Sequence, residues 1–351
     1  MKKKLFILFR SGVSLTFHRN IIVRPQWLYR VNDDQTRFYA EDKHLLLSES
    51  STCTPLIVLI NKLSGGQQGS RLYRQLLRIL NPRQIFLIDS SESIHNALSI
   101  YKSLKNIRIC ACGGDGTVNW VLSIIVDHFS SSIMPPVCIC PLGTGNDLSR
   151  VLGWGWAFNQ KQLNRMLTAM STAHPMLFDR WQINIKRLPL TQVTEELPGN
   201  HRWLSCFLEH PQFVRDTYAS FYEKYHAPVN NRFTNYLSFG LDGAVVLDFH
   251  DRRLRDSSRF TSPFKNKLLY LNISRNYFKE FLFWRSWDLS PYMQLICDGT
   301  DITHLLQNCH TIVILNIPSY GSGARPWGRF RSSCHIKAFI FQKSFIIFFR
   351  Y

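Results

Sequence analysis

Two glycine-rich loops, each entered directly from a short apolar run, constrain the fold of this chain more than any other feature. The first occupies residues 110–117 with the sequence CACGGDGT, and the second occupies residues 141–147 with the sequence PLGTGND. A buried strand that runs into glycines and then into a helix is typical of a loop whose backbone N–H groups converge on a phosphate. The two loops therefore predict an α/β fold with a phosphate site.

Asp115 lies inside the first loop, between Gly114 and Gly116. A carboxylate beside bound phosphates is unfavourable unless Mg²⁺ bridges them or the carboxylate removes a proton, and both situations belong to phosphoryl transfer. The alternative is an ordinary loop or cap residue. The flanking glycines favour the first interpretation because they permit close backbone approach to a ligand, and Thr117 is expected to be the N-cap of the next helix.

A third loop, residues 61–69 with the sequence NKLSGGQQG, also follows an apolar run and precedes a helical pattern. Its amides and the Ser64 hydroxyl are suited to cradling a nucleotide, although it has neither the Gly-Lys-Ser/Thr ending of a P-loop nor the glycine order of a dinucleotide fold. Alone it fits a glycine-rich connection that turns a tight corner better than a nucleotide site. Three such loops on one sheet favour a phosphate site.

In the second loop, Asn146 and Asp147 precede a helical pattern. They fit a helix-cap role and a ligand role equally well.

Apolar runs alternate with helical repeats through the first half of the chain. The runs occupy residues 56–60, 84–88, 107–112 and 137–140. Continuous apolar strands flanked by helices predict a parallel sheet covered on both faces, with ligands at the carboxyl ends of its strands. All three glycine loops fall at such ends.

The composition changes after about residue 179. Residues 188–200 are typical of an interdomain connection, and strand-like runs follow at 236–241, 292–297 and 311–317. These runs predict a second, β-rich domain. A basic, helical pattern at residues 252–267 lies between them; it is typical of a solvated face, and its functional alternative is contact with anionic lipid headgroups or ATP phosphates.

Length and charge bound the possible functions. A chain of 351 residues predicts two domains. Its formal net charge of +18 favours an anionic partner: a nucleotide, a nucleic acid or an acidic lipid surface. No RRM, KH, zinc-finger or helix-turn-helix signature accompanies the charge, so nucleic acid is not expected. The nine cysteines have no metal-ligand spacing, which favours reduced thiols in a cytosolic protein.

The amino terminus begins like a signal peptide, with lysines at positions 2–4 and an apolar run at 5–9, but Arg10 interrupts that run. No apolar segment approaches the roughly 20 residues that span a bilayer. We therefore expect an untargeted, cytoplasmic protein, peripheral to membranes. The opening segment is either a loosely ordered extension or a contact with an anionic leaflet.

Longer motifs resemble a known family. The segments CGGDGTVNWVL, MPPVCICPLGTGNDLSRVLGWG and FDRWQINI resemble the catalytic domain of eukaryotic diacylglycerol kinases. The segments NYLSFGLDGAVVLDFH, SRFTSPFKNKLLY, CDGTDI and IVILNIPSYGSGARPWG resemble the accessory domain of that family, so the resemblance covers roughly residues 55–328. The GGDGT motif alone also occurs in NAD kinases, phosphofructokinases and sphingosine kinases, but the combination is more specific.

The resemblance implies transfer of the ATP γ-phosphoryl group to the primary hydroxyl of diacylglycerol, giving phosphatidic acid in lipid signalling, with Mg²⁺ as cofactor. Asp115 would accept the hydroxyl proton or organise Mg²⁺. Asp147 would bound the nucleotide pocket and would also be a second metal ligand. The remaining residues would hold phosphates or bound the nucleotide pocket: Asn61, Ser64, Gly65, Gly66, Gly113, Gly114, Gly116, Thr117, Gly143, Thr144, Gly145 and Asn146. The implied organisation is an N-terminal extension (1–53), a three-layer α/β catalytic domain similar to NAD and lipid kinases (54–187) and a β-rich accessory domain (201–351).

Two departures leave alternatives open. No cysteine- and histidine-rich C1 module precedes the kinase-like region, and the resemblance stops near residue 328, before an apolar tail at 339–349. We therefore expect a C-terminally truncated accessory domain with uncovered sheet edges. The alternatives to a diacylglycerol kinase are a catalytically impaired fragment that binds nucleotide or anionic membrane, and a sphingosine or ceramide kinase relative.

Overall fold

The computed structural model describes most of the chain. The described residues are 4–9, 19–31, 34–42, 53–130, 133–187, 232–260, 262–283, 289–290, 293–297, 299–307, 309, 311–325 and 345–349. The connection predicted at 188–200 lies outside them. The described part divides into an α/β region (residues 4–179) and a β-rich region (residues 181–349).

The α/β region alternates strands and helices as predicted. Its strands are β1 (Lys4–Phe9), β2 (Leu28–Val31), β3 (Asp34–Ala40), β4 (Leu56–Asn61), β5 (Ile85–Ile88), β6 (Arg108–Gly113), β7 (Val137–Pro141) and β8 (His174–Asp179). Its helices are α1 (Ser64–Leu76), α2 (Ser91–Ile100), α3 (Asp115–His128), α4 (Asp147–Val151) and α5 (Leu163–Thr172). A separate hairpin pairs β2 with β3.

A six-stranded sheet with the order β5-β4-β6-β7-β1-β8 forms the centre of this region. The strands β5, β4, β6 and β7 run parallel, which confirms the predicted parallel sheet. Every residue of β4 from Leu56 to Ile60 is at most 1% exposed. Such burial on both faces explains why these strands read as unbroken apolar runs.

Local sequence sets the helix boundaries around β5. Asn81 precedes Pro82, which cannot continue a helix, and the Asn81 side chain accepts a hydrogen bond from the Arg83 N–H at 3.0 Å. Helix α2 then begins with a capping box in which the Ser90 side chain accepts from the Ser93 N–H. The strand between these two signals is therefore short.

The amino-terminal segment contributes to the sheet, which the sequence does not predict. Strand β1 pairs in parallel with β7 and antiparallel with β8, from Lys4 opposite Asp179 to Phe9 opposite His174. A five-residue apolar run is compatible with several roles, and only its distant partners select the strand. Residues 1–3 and Arg10, on which the signal-peptide interpretation depends, lie outside the described residues.

The β-rich region contains short strands and two long helices. The strands are β9 (Trp181–Arg187), β10 (Arg232–Phe233), β11 (Tyr236–Gly240), β12 (Met293–Cys297), β13 (Thr300–Asp301), β14 (Thr311–Leu315) and β15 (Phe345–Phe349). They form a five-stranded sheet with the order β10-β9-β15-β12-β13 and a separate antiparallel pair, β11-β14. The helices α6 (Leu241–Arg255) and α7 (Pro263–Phe283) confirm the helical pattern in the basic segment.

The apolar tail is not left without sheet partners. Strand β15 lies between β12, to which it is antiparallel, and β9, to which it is parallel. The expectation of uncovered edges is therefore wrong for residues 345–349, because an apolar run without turn residues can fill a position inside a sheet. Residues 326–344, which lead into this strand, lie outside the described part.

Each region has its own hydrophobic core. The larger core lies under the six-stranded sheet and its helices, and a smaller one includes Ile183, Met293 and Leu295. All seven cysteines of the described residues are free thiols. No helix in the described part is long and apolar enough to cross a membrane.

Candidate active site

The three glycine loops meet at one edge of the sheet because β4, β6 and β7 are neighbours. In the register, Ile60 lies opposite Cys112, and Gly113 lies opposite Pro141. The chain leaves all three strands in the same direction, so the loops that follow them are adjacent. The sequence-predicted site residues therefore come together.

Glycine is required where the loops touch. A Cβ at Gly143 would lie 2.4 Å from the Gly114 Cα, closer than real Cβ contacts. Gly65 has a φ of +62°, and its added Cβ would lie 1.9 Å from the Leu142 carbonyl oxygen. Gly66 has a φ of +68°. Gly143 and Gly65 need the absence of a side chain because backbone approaches backbone there, and the positive φ of Gly65 and Gly66 is one that other residues rarely adopt.

Polar side chains connect the third loop (residues 61–69) to the first (residues 110–117). The Gly114 N–H donates to Ser64 Oγ at 3.3 Å, and Asn61 Nδ2 donates to Thr117 Oγ1 at 3.0 Å. The expectation that Thr117 is an N-cap is wrong, because α3 begins at Asp115 with Gly114 as its N-cap. Thr117 lies in the first helical turn and serves the loop contact instead.

Asn146 holds the second loop (residues 141–147) closed. It is in the left-handed conformation with a φ of 54°. Its Oδ1 accepts from the Gly143 N–H at 3.0 Å, and its Nδ2 donates to the carbonyl oxygens of Gly143 and Trp156, both at 2.8 Å. Both amide hydrogens are thus committed to the loop. The residue is the N-cap of α4 by position, without a side-chain capping bond.

Asp115 points its carboxylate across to the start of α4. Its Oδ2 accepts from the Asp147 N–H at 2.9 Å and its Oδ1 accepts from the Leu148 N–H at 3.1 Å. Burial raises the pKa of Asp115; the two backbone donors and the nearby Asn235 amide oppose that shift, and the charge of Asp147 adds to it. Asp115 is therefore a more basic carboxylate than an ordinary aspartate.

Asp147 is more deeply buried, at 1% exposed, and more heavily hydrogen-bonded. Its Oδ1 accepts from Ser319 Oγ at 2.6 Å and from the Gly323 N–H at 2.7 Å, and its Oδ2 accepts from the Ser322 N–H at 2.9 Å. All three donors belong to the loop at 319–323, which follows β14. A Cβ at Gly145 would lie 3.3 Å from Asp115 Oδ2 and 3.4 Å from Asp147 Oδ2, so both carboxylates converge there.

The β-rich region reaches the loops at a second point and adds a third acidic residue. Asn266 of α7 donates through Nδ2 to Thr144 Oγ1 at 3.1 Å. In the 319–323 loop, which binds Asp147, the Tyr320 hydroxyl donates to Asp242 at the start of α6. Burial raises the pKa of Tyr320, and Asp242 raises it further. The β-rich region is thus fastened to the glycine loops.

The junction between the regions is polar and buried. Arg180 follows β8 and is 3% exposed. Its Nη2 donates to Asn119 Oδ1 and Ser123 Oγ of α3, both at 2.9 Å, and its Nε donates to Thr234 Oγ1 at 3.1 Å. Burial lowers the pKa of Arg180 to about 10. This guanidinium links helix α3 to the first strands of the β-rich region.

The sequence predicts the three glycine loops, but it does not predict the residues beyond them, mainly in the β-rich region, that contact these loops and their helices. The missed residues are Arg180, Asp242, Asn266, Ser319, Tyr320, Ser322 and Gly323. Residues 319–323, with the sequence SYGSG, follow an apolar run as the other loops do, and this pattern is the one available signal. Nothing local in the sequence indicates that this loop binds Asp147.

Together, the fold and these contacts define a two-part protein, with an α/β region and a β-rich region, in which three glycine loops and two carboxylates meet at the carboxyl ends of parallel strands. Residues 55–176 match the diacylglycerol kinase catalytic domain, and residues 232–345 match the diacylglycerol kinase accessory domain. The chain belongs to the diacylglycerol kinase family. The second match continues past residue 328, so the expected end of the resemblance there is wrong.

Similar proteins span several animals. The chain is 34% identical to diacylglycerol kinase iota of Homo sapiens over 342 residues, covering 90% of this chain and 30% of that protein. It is 33% identical to diacylglycerol kinase zeta of Rattus norvegicus over 340 residues, covering 90% and 34%. The eye-specific diacylglycerol kinase of Drosophila melanogaster is 35% identical over 277 residues, covering 78% and 17%. The chain thus spans about a third or less of these relatives.

Proposed function

We propose that this chain is an ATP-dependent lipid kinase that phosphorylates the primary hydroxyl of diacylglycerol and gives phosphatidic acid. The observation that carries the proposal is the position of Asp115, a carboxylate of raised pKa where three glycine loops meet. Family membership supports ATP as the phosphate donor and diacylglycerol as the acceptor.

The loops fit a polyphosphate. Gly116 is exposed, and a Cβ added there would meet nothing within 4 Å, so open space lies beside the first turn of α3. That helix has 14 residues, and its positive amino-terminal end favours an anion. We assign Gly113, Gly114, Gly116 and Thr117 to the phosphates. The nucleotide pocket would be bounded by Asn61, Ser64, Gly65, Gly66, Gly143, Thr144, Gly145 and Asn146.

The donor set also fits Mg²⁺. Carboxylate oxygens are hard ligands, and Mg²⁺ is usually held by one or two of them together with phosphate oxygens and water. Asp115 and Asp147 offer such oxygens on the same side of Gly145. The described residues contain no group of three or more His, Cys, Asp or Glu able to hold a metal, so the phosphates would complete the coordination. When bound, the ion would neutralise charge developing on the transferred group.

The two carboxylates have different roles in this proposal. The charge of Asp147 is compensated by three donors from the 319–323 loop, so Asp147 fixes that loop and offers a remaining lone pair to the metal. Each oxygen of Asp115 accepts one backbone N–H, which leaves capacity for a proton. Asp115 therefore accepts the acceptor's hydroxyl proton as that oxygen bonds to the γ-phosphorus. The bond from phosphorus to the ADP oxygen breaks, and the proton passes from Asp115 to water.

The proposed location is cytoplasmic and peripheral to membranes. The free thiols of the described residues are typical of a reducing compartment, and a diacylglycerol acceptor resides in a bilayer. The net charge of +18 supports attraction to anionic lipid.

Transfer of radiolabelled phosphate from ATP to diacylglycerol in mixed micelles tests the proposal. Asp115→Asn preserves size and one acceptor oxygen but removes the base, and we expect a loss of about 10²- to 10⁴-fold in rate. Asp127→Asn, at the far end of α3, is the matched control and should retain activity. Equal activity of the unmodified chain and Asp115→Asn would reject the assigned role, and binding of nucleotide without any turnover would favour the impaired-fragment alternative.

The acceptor is tested separately. A panel of diacylglycerol, sphingosine and ceramide, offered at equal surface concentration, should show label in phosphatidic acid. Transfer mainly to sphingosine or ceramide would support the kinase reaction but contradict diacylglycerol as the acceptor.

A further inference from the structure

Helix α7 exposes an apolar stripe. Phe264 is 72% exposed, Leu268 is 51% exposed and Leu271 is 63% exposed. With 3.6 residues per turn, positions separated by four and then three residues lie above one another on one helix face. These large side chains therefore form a continuous line on the surface, which is not the usual scatter of single exposed apolar residues.

The opposite face of α7 anchors the helix. Asn266 is 4% exposed and Ile273 is 2% exposed. The Asn266 side chain donates to Thr144 in the second glycine loop at 3.1 Å. The stripe therefore has a fixed outward orientation, and a helix about 10 Å across separates it from the nucleotide-binding loops.

Lysines flank the stripe. Lys265 and Lys267 are exposed and lie on its two sides, and Arg275 is exposed one turn beyond Leu271. Residues 263–275 contain no acidic residue. An apolar line between basic side chains is typical of a helix that lies in a membrane interface, because the alkyl stems of lysine follow the apolar region while the ammonium groups reach anionic headgroups.

We propose that this face of α7 docks on an anionic lipid bilayer, with Phe264, Leu268 and Leu271 entering the boundary between headgroups and acyl chains. Charge complementarity favours an anionic bilayer as the partner. The flanks of the stripe are basic, residues 263–275 contain no acidic residue, and the whole chain carries a net charge of +18. The inference rests on the proposed function in one respect, since the bilayer is where a diacylglycerol acceptor resides. Docking then brings that acceptor to within about one helix diameter of Thr144.

Sedimentation with vesicles, without nucleotide, tests the docking. The unmodified chain should bind phosphatidylcholine vesicles that contain phosphatidylserine. Phe264→Glu combined with Leu268→Glu should weaken binding by about tenfold or more, because it places two charges in the interface. Lys265→Gln and Lys267→Gln should each weaken it by about fivefold, and only toward anionic vesicles. Ile133→Glu, which charges an apolar residue 60% exposed elsewhere, is the control and should bind normally.

A second assay separates this inference from the proposed function. With short-chain diacylglycerol dissolved in water, the Phe264→Glu/Leu268→Glu variant should turn over at the rate of the unmodified chain, whereas its activity on vesicle-embedded diacylglycerol should fall. A folded variant that still binds anionic vesicles normally would overturn the docking face. Absence of vesicle binding by the unmodified chain, or stripe-dependent self-association in analytical ultracentrifugation without such binding, would also overturn it. Absence of turnover on every acceptor would reject the proposed kinase activity, whereas the vesicle-binding experiment would still test the docking face by itself.

Discussion

Adding one methyl group should have different effects at Gly143 and at Gly116, because Gly143 packs against backbone whereas Gly116 faces open space. A Cβ at Gly143 would overlap the Gly114 backbone at 2.4 Å, and two backbone segments cannot move apart as a flexible side chain can. We predict that Gly143→Ala lowers the free energy of unfolding by about 1–3 kcal/mol. Urea denaturation measures the loss.

Gly116→Ala is the matched control, because it adds the same methyl group in a neighbouring loop where space is open. In the first turn of α3, alanine should leave the unfolding free energy unchanged or raise it by up to about 1 kcal/mol. If phosphates occupy that space, the variant should nevertheless bind nucleotide more weakly. Equal destabilisation by both substitutions would contradict the proposed packing of the loops.

The raised pKa of Asp115 makes both stability and activity depend on pH. Because the folded chain holds this proton more tightly than the unfolded chain, the contribution to stability is full below the ordinary aspartate pKa of about 4 and is lost as pH rises through the folded pKa. Activity should rise over the same interval as Asp115 becomes an ionised base. Urea unfolding at a series of pH values should show this loss in the unmodified chain and lack it in Asp115→Asn; identical pH dependence in both would contradict it.

At the scale of elements, Arg180 is the joint between α3 and the start of the β-rich region. Its guanidinium donates to Asn119, Ser123 and Thr234 at once, which requires a planar group with several donors. We predict that Arg180→Met costs about 1–3 kcal/mol of stability. Arg180→Lys should fail to restore it, because one ammonium group cannot reproduce the fork. Thermal unfolding checks both variants, and full recovery by lysine would show that charge alone matters.

Elements with local signals could be predicted from the sequence. Strand β4 is an apolar run that ends in a glycine loop, and that combination specifies a buried parallel strand. Strands β1 and β15 also carry apolar runs, but their place in a sheet is decided by partners far away in the chain: β1 pairs with β8, and β15 lies between β12 and the still more distant β9. The same limit applied to the site: the three loops were predicted, whereas the 319–323 loop and Asn266 depend on contacts between the two regions.

At the scale of the whole molecule, the two regions are held together at the site itself. Asp147 belongs to the α/β region, and its three donors belong to the β-rich region. We predict that Asp147→Ala lowers the unfolding free energy by about 2–4 kcal/mol, because it leaves the Ser322 and Gly323 N–H groups without their acceptor. Ser319→Ala removes one donor and should cost about 1 kcal/mol. If urea denaturation ranks these two variants in the opposite order, the proposed role of Asp147 in holding the two regions together is contradicted.

The location of the bound nucleotide tests the central claim most directly. A crystal structure of the chain with Mg²⁺ and a non-hydrolysable ATP analogue should place the triphosphate against residues 64–66, 113–117 and 143–146, with the γ-phosphate beside Asp115. A triphosphate bound elsewhere, with Asp115 remote from every phosphate oxygen, would contradict the account.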